Sequence, residues 1–192
     1  IRRQMKTRII AVLLGMLLSG TDLYAADTVK VVASTLDMAD FVRQIGGERV
    51  EVYAISKGRY DLHFYEPRPS EVMKLRKADL LVVAGVELDA FMPGLIDASR
   101  NRRNRFGARG YVDPSDGIRP IQVPKGRIDG AMGDVHPYGN PHYWVTQENV
   151  RIIVENIASG LIRVSPKDAE YFEGNKAAYL KEVAEVYEGL HR

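Results

Sequence analysis

The residues with chemistry to offer sit in two short stretches far apart in the chain, Asp61-Leu62-His63-Phe64-Tyr65-Glu66-Pro67 and Gly139-Asn140-Pro141-His142-Tyr143-Trp144. Each sets one histidine beside aromatic residues and a proline. Imidazole is the commonest protein ligand for transition metals, so two histidines held in stiff loops point to a shared metal site through His63 and His142. Asp61 and Glu66 place a carboxylate beside His63, either as a further ligand or as the acceptor that fixes the imidazole tautomer. Pro67 and Pro69 lower the entropy cost of holding that loop ready. His142 lies between Pro141 and two aromatic rings, which would give a dry wall. His136 is an auxiliary ligand candidate six residues earlier, with an ordinary exposed histidine as the alternative. His191 falls in the last helical stretch and has no assigned role. Two imidazoles are too few for either a structural or a catalytic zinc centre, so His136 or Glu66 must be recruited or the other ligands lie elsewhere. On spacing alone, ordinary loop histidines remain an open alternative.

The motifs of other chemistries are missing from the sequence. It holds no His-Glu-x-x-His, no Gly-x-Ser-x-Gly, no phosphate-cradling glycine loop and no cysteine, so no compact motif supports a hydrolase. Residues 1–25 read as a secretory signal: Arg2, Arg3, Lys6 and Arg8 precede the apolar run Ile9 to Leu18, and Leu23-Tyr24-Ala25-Ala26 supplies a cleavage site. The run is too short to span a bilayer. The whole chain carries +2, and the leader accounts for +3 of it (four basic residues against Asp22), leaving about −1. The basic balance therefore belongs to the leader and gives no support for a nucleic-acid partner. Without cysteine a disulfide framework is excluded, and no cysteine stands at the cleavage site to take a lipid. The expectation is a soluble periplasmic protein with no lipid anchor.

The elements that must position the histidines follow from periodicity. Val29 to Ser34 and Val50 to Ile55 read as strands around a helix that opens near Thr35 and stops at Gly46-Gly47, a strand-helix-strand unit suited to a buried parallel sheet. Ser70 is the expected cap of a helix turning Val72, Met73 and Leu75 to the core. Leu80 to Gly85 is the clearest strand, central and parallel. A short helix over Phe91, Leu95 and Ile96 follows. Ser99 to Gly110 then carries Arg100, Arg102, Arg103, Arg105 and Arg109 with no acidic residue. Lacking stacking rings beyond Phe106, it reads as a solvated loop rather than a phosphate or nucleic-acid patch. Residues 111–141 read as irregular, with one or two short strands such as Ile118 to Val123. Thr146 caps a helix carrying Val150, Ile153, Val154, Ile157 and Leu161. Ser165-Pro166 begins a last long helix that continues to Arg192 without a stop signal.

Asp61 to Ser70, Lys77 to Gly85, Asn140 to Trp144 and Phe172 to Leu180 together resemble the zinc/manganese substrate-binding proteins of bacterial metal ABC importers, the cluster A-I solute-binding proteins. The resemblance extends over most of the chain after the leader. It implies an α/β fold of two lobes joined by one long helix, with the metal held in the cleft between them. On that basis residues 26–165 are a single lobe with a central, mostly parallel sheet flanked by helices. Residues 166–192 are then the start of the inter-lobe linker helix, and the second lobe is absent. His63 and His142 match the two ligands of the first lobe, and Glu66 matches the loop's acidic position, placed behind the ligands. The cargo implied is Zn(II) or Mn(II), the partner an ABC permease in the inner membrane, and the protein a monomer with no enzymatic activity. The family's histidine-rich loop is reduced here to Gly133 to Gly139. The alternatives are a small secreted zinc hydrolase using His63, His142 and His136, or an interaction domain with no metal.

Overall fold

The computed structural model describes residues 28–58, 61–126 and 136–190. The expected leader (residues 1–25), His191 and residues 133–135 of the 133–139 stretch fall outside these residues. Strands β1 (Val29–Ala33), β2 (Val50–Ala54), β3 (Leu80–Val82) and β4 (Tyr111–Val112) form one sheet in the order β2-β1-β3-β4. Every pairing is parallel, with Val31 opposite Val52 on one side and opposite Leu80 on the other. The near-continuous apolar character of β1 and β3 follows from this arrangement, because helices cover both faces.

Helices α1 (Leu36–Gly46), α4 (Gln147–Val164) and α5 (Ala169–Leu190) cover one face, and α2 (Pro69–Arg76) and α3 (Met92–Ser99) cover the other. Met38, Val42 and Ile45 of α1 and Ile153, Ile157 and Leu161 of α4 build the larger core with Val31, Leu80 and Val82. Leu75 and Leu95 meet Val32 and Leu81 in the smaller one. Thr35 Oγ1 accepts the Met38 N–H at 3.3 Å at the start of α1, and Thr146 Oγ1 accepts that of Asn149 at 3.3 Å at the start of α4.

Several expectations are corrected. The cap position of α2 is Arg68, with Pro69 as first residue, and Glu71 Oε2 accepts the Arg68 N–H at 2.7 Å; Ser70 is exposed and caps nothing. Met73 is 45% exposed, because an eight-residue helix buries only a narrow stripe. The fourth strand is Tyr111–Val112, and Ile118 to Val123 runs as turn and loop. Pro166–Asp168 is a separate 3-10 turn, in which the Ser165 hydroxyl donates to Asp168 Oδ2 at 2.6 Å instead of capping the last helix.

Candidate metal site at the carboxyl edge of the sheet

All four strands being parallel, their carboxyl ends share one edge. The chain passes from β1 outward to β2 and then returns to β3 on the other side of β1, so the strand order reverses between β1 and β3. Ligands of open parallel sheets gather outside the carboxyl ends at such a reversal. The two histidine turns flank it.

The first turn follows β2. Leu62–Phe64 is a single 3-10 turn, closed by Phe64 N–H on the Asp61 carbonyl and Tyr65 N–H on that of Leu62, each at 3.3 Å. Its anchor is Tyr65, whose hydroxyl donates to Glu71 Oε1 at 2.6 Å and lies 3.1 Å from the Ile55 carbonyl oxygen just past β2. Glu71 is only 3% exposed, and its second oxygen is occupied by the Arg68 N–H. Burial, reinforced by the Glu71 carboxylate, pushes the Tyr65 hydroxyl well above the ordinary tyrosine range. Glu66 is exposed, and Phe64 is 83% exposed beside it. The carboxylate that the fold ties into this loop is thus Glu71. The sequence holds a signal for it, proline at the first helical position with glutamate two residues on, where it can close back on the cap.

The second turn is fastened more heavily. Asn140 Oδ1 accepts the His142 N–H at 2.9 Å, its amide donates to Gln122 Oε1 at 2.8 Å, and its own N–H donates to the Ile121 carbonyl at 2.9 Å. Gly139, at φ 102°, brings its backbone so near Ile121 that a Cβ would stand 2.6 Å from that carbonyl oxygen. The buried Tyr143 donates its hydroxyl to the Ala84 carbonyl at 2.5 Å, pinning the turn to the end of β3. Asn149 Nδ2 donates to the Tyr143 carbonyl at 2.8 Å and Tyr187 of α5 to the Val145 carbonyl at 2.7 Å. The His142 side chain is exposed, its ring edge-on to Trp144 with centroids 5.3 Å apart. His136 is half-buried at the head of the turn, its carbonyl accepting the Gly139 N–H at 3.2 Å.

Ile55 and Ala84, the two anchor points, follow strands two places apart in the sheet. Neighbouring strands are about 4.8 Å apart, so the anchors stand about 10 Å apart, a span that two imidazoles can bridge over one ion. The backbone of His63 is described on this edge; its imidazole lies outside the described atoms. Among the described residues no group of three or more His, Cys, Asp and Glu side chains converges on a metal position.

The floor between the turns is strained and acidic. Gly85, Val86 and Glu87 have φ of 74°, 50° and 62°, a left-handed run in which the β-branched Val86 is the outlier. A Cβ on Gly85 would stand 2.4 Å from Asp113 Oδ1. Asp89, buried behind the run, accepts the Ala84 N–H at 2.7 Å. Burial raises its carboxyl above the usual range, against the pull of its hydrogen-bond donors. The Tyr143 hydroxyl is pushed up by burial and then by Asp113, Asp89 and Asp116. This negative floor favours a cation at the edge above it. Sequence reading missed Asp89, whose contact with Ala84 is local but carries no motif, and also Asp113 and Tyr143's partner, whose contacts with Gly85 and Ala84 join segments distant in the chain.

The chain is similar to known proteins. The family described as zinc-uptake complex component A, periplasmic (ZnuA) matches residues 31–192. The manganese ABC transporter substrate-binding lipoprotein PsaA of Streptococcus pneumoniae is 31% identical over 162 residues, covering 84% of this chain and 50% of PsaA. The iron ABC transporter substrate-binding lipoprotein MtsA of Streptococcus pyogenes serotype M1 is 31% identical, covering 88% of this chain and 52% of MtsA. A crystal structure of a ZnuA deletion mutant with zinc bound superposes with TM-score 0.71 at 27% identity, covering 85% of this chain and 57% of that one. The chain therefore spans about half the length of the curated relatives it matches. These are transport proteins, not enzymes, and the hydrolase alternative is set aside. The expectation of a protein without a lipid anchor is contradicted, because both sequence relatives are lipoproteins by name. It rested on a missing cysteine, and an absence does not outweigh lipid-anchored relatives.

Proposed function

We propose, from the premise that this chain belongs to the family of periplasmic zinc-uptake component A, that it captures a divalent transition metal outside the cytoplasm and passes it to an ABC permease in the inner membrane. The observation that carries this reading is the pair of histidine turns, fastened separately to the ends of β2 and β3 and flanking the reversal of strand order. His63 and His142 are the two ligands this lobe contributes, Glu66 stands behind them, and His136 is an auxiliary candidate. Imidazole suits Zn(II) better than Mn(II), so zinc is the favoured cargo and manganese the second. The remaining ligands come from a second lobe, with residues 1–25 as leader, 26–165 as the metal-binding lobe and 166–192 as the start of the helix between lobes. The protein acts as a monomer.

The test is calorimetric titration of zinc and of manganese into the chain and into His63→Ala and His142→Ala. A half-set of ligands binds zinc weakly, with heat that both substitutions abolish. Absence of heat with zinc, or full heat in both variants, overturns the reading.

A further inference from the structure

The opposite edge of the sheet carries the opposite charge, and the metal reading makes no use of it. The loop between α3 and β4 holds five arginines and no acid. Asn101 Nδ2 donates to the Leu75 and Ala78 carbonyls at 3.0 and 2.8 Å, and Arg76 Nε donates to that of Ser99 at 3.2 Å. These bonds seat the loop on the carboxyl end of α2, so Arg76 and Lys77 join Arg100, Arg102 and Arg103 in one exposed basic face. Arg103 also shares a cleft with Lys167 and with Thr28, where the described fold begins.

Structural duties account for some of these cations. Arg109 and Arg163 each donate a guanidinium N–H to the other's carbonyl, at 2.8 and 2.7 Å, and Arg103 pairs with Asp79 at 3.1 Å. Lys77, Arg100, Arg102 and Lys167 have no such duty: among the described residues none of these side chains makes a hydrogen bond or ion pair. Arg100 moreover occupies the left-handed cap of α3 at φ 55°, where glycine or asparagine would sit with less strain. Nothing inside the fold recovers the cost of an arginine there. Phe106, 85% exposed and edge-on to Tyr111 at 5.5 Å, lines a cleft with Gly85, Asp89 and Asp113 and lies apart from these cations.

We propose that this amino edge docks on a membrane surface rich in anionic lipid headgroups through Lys77, Arg100, Arg102 and Lys167, leaving the histidine turns on the far edge facing solvent. Clustered, exposed cations without partners in the fold suit an anionic headgroup layer. A nucleic acid would call for a series of stacking rings, and the loop has one. A free phosphate would call for buried donors, and all four cations are exposed.

The test is flotation of the full chain with vesicles of phosphatidylcholine alone or enriched in phosphatidylglycerol. Each Lys or Arg near such a surface strengthens binding about fivefold. The chain is expected to prefer the anionic vesicles, to lose that preference in high salt, and to bind at least about tenfold more weakly as the Lys77→Glu/Arg100→Glu/Arg102→Glu variant. Lys181→Glu on α5 leaves binding in place, and the leader is common to all forms, so its apolar run cancels. A second variant separates charge from folding: Arg100→Gly raises Tm, because glycine suits the left-handed cap, while weakening vesicle binding. Equal binding by the chain and the triple variant, or no preference for phosphatidylglycerol, overturns the proposal. So does binding to duplex DNA without partition to either vesicle, which would assign the edge to nucleic acid.

Discussion

The two edges of the sheet are made from the same repeat of strand and helix, yet they hold their loops with opposite chemistry. At the carboxyl edge α1 to α4 begin, presenting unpaired N–H groups, and acceptors collect there: Thr35, Glu71, Thr146 and Asp89 each take a backbone N–H. At the amino edge α1 to α4 end, presenting carbonyls, while α5 starts there, and donors collect: Asn101, Arg76, Arg109 and Arg163 each give a side-chain N–H to a backbone oxygen. The difference follows from the polarity of the helix backbone. It teaches that a parallel sheet with caps drawn from charged residues segregates charge without any binding requirement, and that the acidic edge then suits a cation. The residues that caps do not explain, the exposed His142 on one edge and the unpartnered Arg100 and Arg102 on the other, are where function is to be sought.

The comparison can be broken most severely at Tyr143. Tyr143→Ala removes a buried ring and the link to β3, and is expected to cost about 3 to 5 kcal/mol in urea unfolding and to weaken zinc binding, while Tyr143→Phe costs about 1 to 3 kcal/mol by leaving the Ala84 carbonyl unpaired. Next is Glu71→Gln, which keeps the shape of the buried side chain but replaces two bonds to a charged acceptor, for an expected loss of about 1.5 to 3 kcal/mol. Asn101→Ala on the opposite edge is expected to cost about 1 kcal/mol and to leave zinc binding untouched. If it weakened zinc binding as Tyr143→Phe does, the edges would not be independent.

The smallest effect is a pH dependence at Asp89. Its native carboxyl titrates above the unfolded value, so the fold favours the protonated form. The associated stability is fully present below the unfolded value, about pH 4, and is lost as pH rises through the raised native value. Asp89→Asn, which can still accept the Ala84 N–H, is expected to flatten that fall in a series of thermal melts across the acid range. An unchanged slope would place the acidic floor's charge elsewhere.

Much of the frame was legible before the structure. The apolar runs of β1 and β3, the helix start near Thr35, the Thr146 cap and the periodicity of α4 are local signals, and the structure places them as read. Tyr111–Val112 was not legible as a strand, since two residues give no pattern and only the edge of β3 makes them one. Glu71 in place of Ser70 turned on a helix starting at proline. At the site, His63 and His142 stood out by type, whereas their fastenings depend on partners such as Ala84, which lies 59 residues from Tyr143. The left-handed run at Gly85 to Glu87 has a glycine only at its first position, so nothing local announced the other two.

The central claim is that two separately fastened turns put His63 and His142 on one metal ion. Zinc titration of histidine-labelled protein, followed by the ring resonances in nuclear magnetic resonance spectra, tests it most directly. The account predicts that His63 and His142 shift together and saturate at one equivalent of zinc per chain. Shifts of only one of them, or saturation of the two at different equivalents, would contradict it.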